Sequence, residues 1–260
     1  LFRRITQALI ILLIIAIPLL NKKGITFITG TLYSLAIDGI WITDPLSGFQ
    51  VIISSFSADK ILLLSMVVPI ALALAFGRIF CGWMCPQNLI SELFDIIHER
   101  LKIKRLFNPA RSPIPRYTIL TALLILTWLA SFPVANLISA PGIISVQATK
   151  YVYEGIVGIE FALIGIIILS ELFFVRRGWC NYVCPVGSFL GVFRLKRTMK
   201  VVYKEDAEHT CGGCMECVTA CQLGLNPMEG RIYPFCHNCG DCVAVCKKIK
   251  QKQMPLLFKF

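Results

Sequence analysis

Eight cysteines between Cys211 and Cys246 constrain this chain more than any other feature. They repeat one spacing twice, C-G-G-C-M-E-C-V-T-A-C from Cys211 and C-H-N-C-G-D-C-V-A-V-C from Cys236, each of the form C-x-x-C-x-x-C-x-x-x-C. Three closely spaced thiolates wrap three irons of a [4Fe-4S] cubane, while the fourth points away and ligates a second cluster. By that crossover Cys211, Cys214, Cys217 and Cys246 are expected to hold one cluster, and Cys236, Cys239, Cys242 and Cys221 the other. The crossing ties together a segment too small to rest on an apolar core alone. A pair of zinc sites has no use for the third and fourth cysteines at these offsets. A disulfide framework conflicts with the reducing compartment to which the charge pattern assigns the segment. Proline ordinarily follows the fourth cysteine, whereas Gln222 and Lys247 stand there. The ligand set is intact, so the expected consequence is an altered local backbone or potential.

The rest of the chain cannot be an ordinary soluble domain. Of its 260 residues 56% are hydrophobic and only 16% charged, which predicts an α-helical membrane domain over residues 1–200 and a small α+β ferredoxin-like domain over 201–260. Four apolar stretches are expected to span a bilayer, at 5–20, 61–80, 117–137 and 155–175. Pro18, Pro69 and Pro133 fall within them, where lipid-embedded helices tolerate proline. No small-residue cleavage site follows Leu20, so the first stretch is expected to be retained and not removed as a signal peptide.

The net charge of +11 is arranged for topology, not for nucleic acid. Arginine and lysine gather before the first stretch, between the second and third, and after the fourth. The two other loops are balanced by Asp38, Asp44, Asp59 and Glu154. The positive-inside rule then predicts a multi-pass protein of the bacterial cytoplasmic membrane, with both termini and the cluster domain cytoplasmic.

The other four cysteines lie in a duplication. R-I-F-C-G-W-M-C-P from Arg78 and R-G-W-C-N-Y-V-C-P from Arg177 share R-x-x-C-x-x-x-C-P, each at the inner end of a predicted hairpin. Two copies entering the membrane in the same direction relate by a pseudo-two-fold axis along its normal. Cys81, Cys85, Cys180 and Cys184 are thereby expected to converge beneath the bilayer, each pair sharing one face of a helical turn that the following proline ends. Arg78 and Arg177 are placed to lower the thiol pKa values or to offset a cluster's charge. Three readings stay open: a third iron-sulfur cluster, a redox-active thiol set, or close packing at a helix exit.

These motifs, four helices, the T-D-P-L loop at Thr43 to Leu46 and the double ferredoxin run resemble the NapH-type membrane quinol dehydrogenase subunits of periplasmic nitrate reduction. The resemblance covers essentially the whole chain. It implies oxidation of menaquinol or ubiquinol from the membrane quinone pool, with electrons passing to an iron-sulfur or c-type cytochrome partner of an anaerobic reductase. It also marks the eight tail cysteines as cluster ligands and the C-x-x-x-C-P cysteines as redox or interaction elements. NosR-type regulators and RdxA/CcoG-type maturation proteins share the motifs. They keep open a redox regulator or maturation factor, and electron flow from a soluble donor to quinone is a further alternative.

Quinol oxidation releases protons, and acids within the apolar spans are few. Glu160 and Glu171 both fall in the fourth stretch, and Glu171 is the better candidate for proton acceptor. Asp44 is an alternative on the outer side, with a plain role as the turn residue before Pro45. His98 is expected to be partly exposed on an interfacial helix over 88–105, and His209 and His237 to flank cluster cysteines without ligating. No nucleotide or phosphate loop is present.

Overall fold

A computed structural model describes residues 2–101, 112–204, 214–229, 232–249 and 256–260. Its first two hundred residues run through one order of elements twice. In the first half α1 (Phe2–Lys22) leads through an antiparallel sheet of β1 (Ile28–Gly30), β2 (Ser34–Ile37) and β3 (Ile40–Thr43). The chain continues into α2 (Pro45–Ser55), α3 (Lys60–Phe76), α4 (Ile79–Trp83) and α5 (Pro86–Leu101). In the second half α6 (Ile114–Ala130) and the short α7 (Val134–Leu137) precede α8 (Ala140–Glu154) and α9 (Phe161–Phe173). A π-helical turn (Trp179–Val183) and α10 (Pro185–Val192) follow. The tail contains β4 (Lys200–Tyr203), α11 (Glu216–Thr219), α12 (Asp241–Ile249) and β5 (Leu256–Lys259). β5 pairs antiparallel with β4, so the end of the chain closes on the strand that opens the tail.

Among the described residues only α1 is long and apolar enough to cross a membrane by itself; α3, α6 and α9 are apolar but shorter, at 17, 17 and 13 residues. The helices within the stretches expected to span at 61–80, 117–137 and 155–175 are therefore shorter than those bounds, and backbone geometry gives the reason. Gly77 at φ +68° ends α3, and left-handed Ser131 ends α6. Pro133 consequently lies outside α6, capping α7. Glu160 is the N-cap of α9 and not part of it.

These helices are inverted relative to a water-soluble bundle. Leu9, Leu12, Leu64, Val68, Leu129 and Leu169 point outward, while Gln7, Ser65, Arg116 and Thr127 are buried. Apolar residues face outward at no cost when the surroundings are hydrocarbon, and the few polar groups turn inward to find partners. The two halves also clasp each other. α1 packs on α8 and α6 on α2, while α5 meets α8 and α10 meets α2.

The clasp has a polar centre. Asp44 caps α2, its carboxylate accepting the N–H and hydroxyl of Ser47 at 3.1 Å each. Burial outweighs those bonds and holds its carboxyl up at about 6. One turn on, fully buried Gln50 accepts the Ala135 N–H at 2.8 Å through Oε1 and donates to Asn136 Oδ1 at 2.9 Å. Gln50→Ala leaves the Ala135 N–H buried without an acceptor and opens a void. It is expected to lower unfolding stability in detergent by about 3 kcal/mol, read from the shift of the denaturation midpoint.

Candidate functional site

The two C-x-x-x-C-P runs adopt the same turn. The N–H of Cys85 bonds the Phe80 carbonyl at 3.0 Å and that of Cys184 the Trp179 carbonyl at 2.8 Å. Both span five residues, one more than in an α-helix. Neither turn continues the helix before it. α4 and the π-turn are separate single turns, and each proline opens a new helix, Pro86 starting α5 and Pro185 starting α10. Proline suits that first position because its missing N–H would have no partner there.

The turns bring the four thiols into one neighbourhood, with Cys85 buried and Cys81, Cys180 and Cys184 half-buried. Burial raises the Cys85 thiol, with Cys81 and Cys184 adding to the rise. Burial likewise raises Cys180, with Glu171, Cys184 and Cys85 as neighbours that push the same way. Cys184 is held at about 11 by burial first and Cys81 next, opposed by the Gly187 amide, Arg78 and Arg116. The arginines thus favour thiolates as the sequence suggests, but desolvation is the larger influence. Thiols in this state bind iron with release of protons.

In the tail, Cys221, Cys236, Cys239 and Cys242 line a single cavity with His237 and Gly240. Cys221 comes from the first C-x-x-C-x-x-C-x-x-x-C run and the other three from the second. Cys217 is buried in a core that also contacts Cys246, and α11, which carries Cys217, packs against α12, which carries Cys246. Cys214 is exposed. Cys211 and His209 lie outside the described residues, as do Lys102 to Arg111 on the inner loop. Among the described residues no three His, Cys, Asp or Glu side chains close tightly enough to hold a metal ion as they stand. The thiols are gathered as two neighbourhoods and are not drawn to a point.

The two neighbourhoods touch. Gly82, between Cys81 and Cys85, rests on the loop between Cys236 and Cys239. A Cβ there would lie 3.0 Å from the His237 carbonyl oxygen and 3.3 Å from Cys239 Cα. Trp83 Nε1 donates to the Asn238 carbonyl at 3.3 Å, and Arg78 Nη1 to those of Pro234 and Phe235 at 2.9 and 3.0 Å. Gln222 explains the departure from proline: its amide donates to Asp241 at 2.9 Å and accepts from Asn88 of α5 at 3.3 Å. Arg3 completes the fastening with bonds to Asp241 at 3.1 Å and Glu92 at 2.9 Å. His237 is buried between the two cysteine groups; burial first, then Arg78, Arg177 and Arg3, lower its pKa to about 3.

Arg3, Arg78, Arg116 and Arg177 are all buried here. Arg78 and Arg177 are expected beside the thiols, whereas the charge pattern presents Arg3 and Arg116 as topological markers only; the structure turns all four inward. Arg177 donates to Asp95 at 3.1 Å and to the Asn88 carbonyl at 2.9 Å. Glu171 is buried on α9, across a small cleft from Ser91, Phe94 and Asp95 of α5. Glu160 sits elsewhere, exposed and bonded to Gln147, and Asp44 is committed to the cap of α2. His98 is buried on α5, where partial exposure was expected.

A family model described as a 4Fe-4S binding domain matches residues 59–104 and again 157–201. The two matches fall on the C-x-x-x-C-P copies and not on the tail. An uncharacterised protein of Methanocaldococcus jannaschii, MJ0749, is 32% identical over 73% of this chain and 70% of its own length. The ferredoxin-type protein NapH of Haemophilus influenzae is 25% identical over 94% of this chain and 85% of its own. The chain belongs to the NapH-like family of iron-sulfur membrane proteins. The methylamine utilization ferredoxin-type protein MauN of Methylorubrum extorquens is 28% identical over 84% of this chain and 73% of its own length. No solved structure matches. The NapH-like relatives are ferredoxin-type, and this chain is accordingly an iron-sulfur protein of electron transfer.

Proposed function

We propose that this NapH-like protein is a multi-pass electron-transfer subunit that oxidises quinol and delivers the electrons to an iron-sulfur or c-type cytochrome partner. The carrying observation is the abutment of the two cysteine neighbourhoods through Gly82 and the His237 loop. Electron transfer between centres requires short separation, and at that contact the Gly82 turn lies directly on the backbone and imidazole of His237. When bound, iron-sulfur clusters supply one-electron acceptance and release. Cys236, Cys239, Cys242 and Cys221 would hold one, Cys211, Cys214, Cys217 and Cys246 a second, and Cys81, Cys85, Cys180 and Cys184 a third. The matching of a 4Fe-4S model to both C-x-x-x-C-P copies supports the third.

The topology follows from the arginines. Arg3 stands at the start of α1, Arg78 after α3, Arg116 at the start of α6 and Arg177 after α9. Their gathering at one level supports an up-down-up-down path for these four helices as two repeated hairpins, with cysteines and both termini on the cytoplasmic side. The apolar outward faces of α3, α6 and α9 support crossing despite their length, which flanking anchors and local bilayer thinning accommodate.

Purified holoprotein mixed anaerobically with a menaquinol analogue is expected to bleach its own visible iron-sulfur absorbance within the turnover time of a respiratory enzyme. An unchanged spectrum with a partner redox protein present would sink the quinol reading and favour a regulator or maturation factor. Reduction by a soluble donor followed by quinone reduction would reverse the direction.

A further inference from the structure

The most costly feature of the fold is Arg116. It is 0% exposed, and among the described residues its Nε, Nη1 and Nη2 have no hydrogen-bond partner. Arg78 lies beside it, because both guanidinium groups crowd the same glycine: a Cβ on Gly187 would sit 2.6 Å from Arg78 Nη2 and 3.3 Å from Arg116 Nη2. Two like charges held together out of solvent repel, and a buried cation without a partner is strongly unfavourable. Such an arrangement persists when an anion completes it. The ionisable groups within electrostatic reach are the thiols of Cys81 and Cys184, one from each C-x-x-x-C-P copy, and the Tyr117 hydroxyl, and a bound cluster would hold both thiols as thiolates.

A topological role does not explain the placement. Arg4, in the first turn of lipid-facing α1, is half-exposed and pairs with Glu92, as a charge that only sets orientation would. Arg116 instead turns its whole fork inward at the start of α6. Arg78 is only partly spoken for, because Nη1 serves the Pro234 and Phe235 carbonyls while its Nε has no partner.

We infer that Arg116, together with Arg78, is the built-in counter-charge of the group held by Cys81, Cys85, Cys180 and Cys184, and that the pair sets its reduction potential. The inference rests on the reading of these cysteines as a cluster site. Four thiolates around a cubane leave a net negative charge that grows by one on reduction. Cations at close range in a low-dielectric surrounding favour the reduced state and raise the potential. Gly187 is the residue that makes room for the pair, and Arg116 is a positioning residue for charge and not a ligand.

The test is an EPR-monitored redox titration of holoprotein in detergent, with Cys81→Ser identifying which signal belongs to the membrane-side centre. In Arg116→Met that signal is expected to titrate at a more negative potential while the tail clusters keep theirs, and Arg116→Lys restores most of the difference. Gly187→Ala, whose new methyl displaces the flexible end of Arg78, is expected to shift it the same way by less. If Arg116→Met does not accumulate, Gly187→Ala decides alone. Loss of the centre from Arg116→Met but not Arg116→Lys counts for the inference, and loss from both counts against it. A centre whose potential is unmoved in Arg116→Met and Gly187→Ala overturns the inference. A wild-type protein with no membrane-side centre overturns the cluster reading instead.

Discussion

Iron per protein is expected to fall from about twelve atoms to about eight when either Cys81 or Cys180 is replaced by serine. The two residues come from different copies of the duplication, so a shared loss is the signature of a centre built between them. Each is close enough to thiols of the other copy to be felt electrostatically: Cys81 raises Cys184, and Cys180 is raised by Cys85. Serine keeps the size of the side chain but supplies a poor ligand to iron, so folding is preserved while a cluster is not. The tail gives the internal standard, since Cys239→Ser removes about four irons of a different EPR signature. Should Cys81→Ser and Cys180→Ser both retain wild-type iron, these thiols do not hold a cluster. A redox-active thiol set, detectable by its alkylation after reduction, would replace it.

The tail was the most legible part of the molecule, because cluster chemistry fixes cysteine offsets regardless of the residues between them. The spacing alone groups Cys221 with the second run, and the fold places it in a cavity with Cys236, Cys239 and Cys242. What spacing does not carry is the attachment of this segment to the rest. Gln222 reads as a missing proline, and only the fold reveals a bridge between Asp241 and Asn88. The sheet over residues 28–43 was missed although a signal was there. Asp38-Gly39 stands between alternating apolar residues, and its two positive φ angles, 47° and 84°, make the tight turn that joins β2 to β3.

Charge was legible in sign and not in depth. Basic residues at the inner ends mark orientation in any membrane protein, so Arg3 and Arg116 gave no hint of burial, while Arg78 and Arg177 were marked only by their spacing from the cysteines. Helix length failed for a related reason. Hydropathy windows run across Gly77, Ser131 and Glu160, where the backbone leaves the helix while side chains remain apolar. The boundaries matter for function, because the turns after α3 and α9 are what carry the cysteines inward toward each other.

Glu171→Gln is expected to slow quinol oxidation by about two to four orders of magnitude, with iron content and cluster potentials of the tail unchanged. A quinol that loses two electrons sheds two protons, and a base positioned beside the departing proton lowers that barrier. Glu171 is buried on α9 and faces the cleft that Ser91, Phe94 and Asp95 of α5 close from the other side. The outward residues of the same elements, Leu93, Ile96, Ile166 and Leu169, are apolar and exposed, a lateral route by which a quinol headgroup would reach the cleft without crossing water. Asp95, across the cleft, is tied to Arg177 at 3.1 Å, so Glu171 is the carboxylate the proton reaches first. Glu171 also lies near enough to Cys180 to raise that thiol, placing proton and electron acceptance within one neighbourhood. Glutamine keeps the shape and the hydrogen-bonding edge of the side chain but takes no proton. The turnover number should therefore collapse while the quinol concentration for half-saturation changes little. Glu171→Asp should recover part of the rate. If Glu171→Gln turns over at the wild-type rate, the proton leaves by another route, and with Glu160 exposed on the far side the search moves to Asp95.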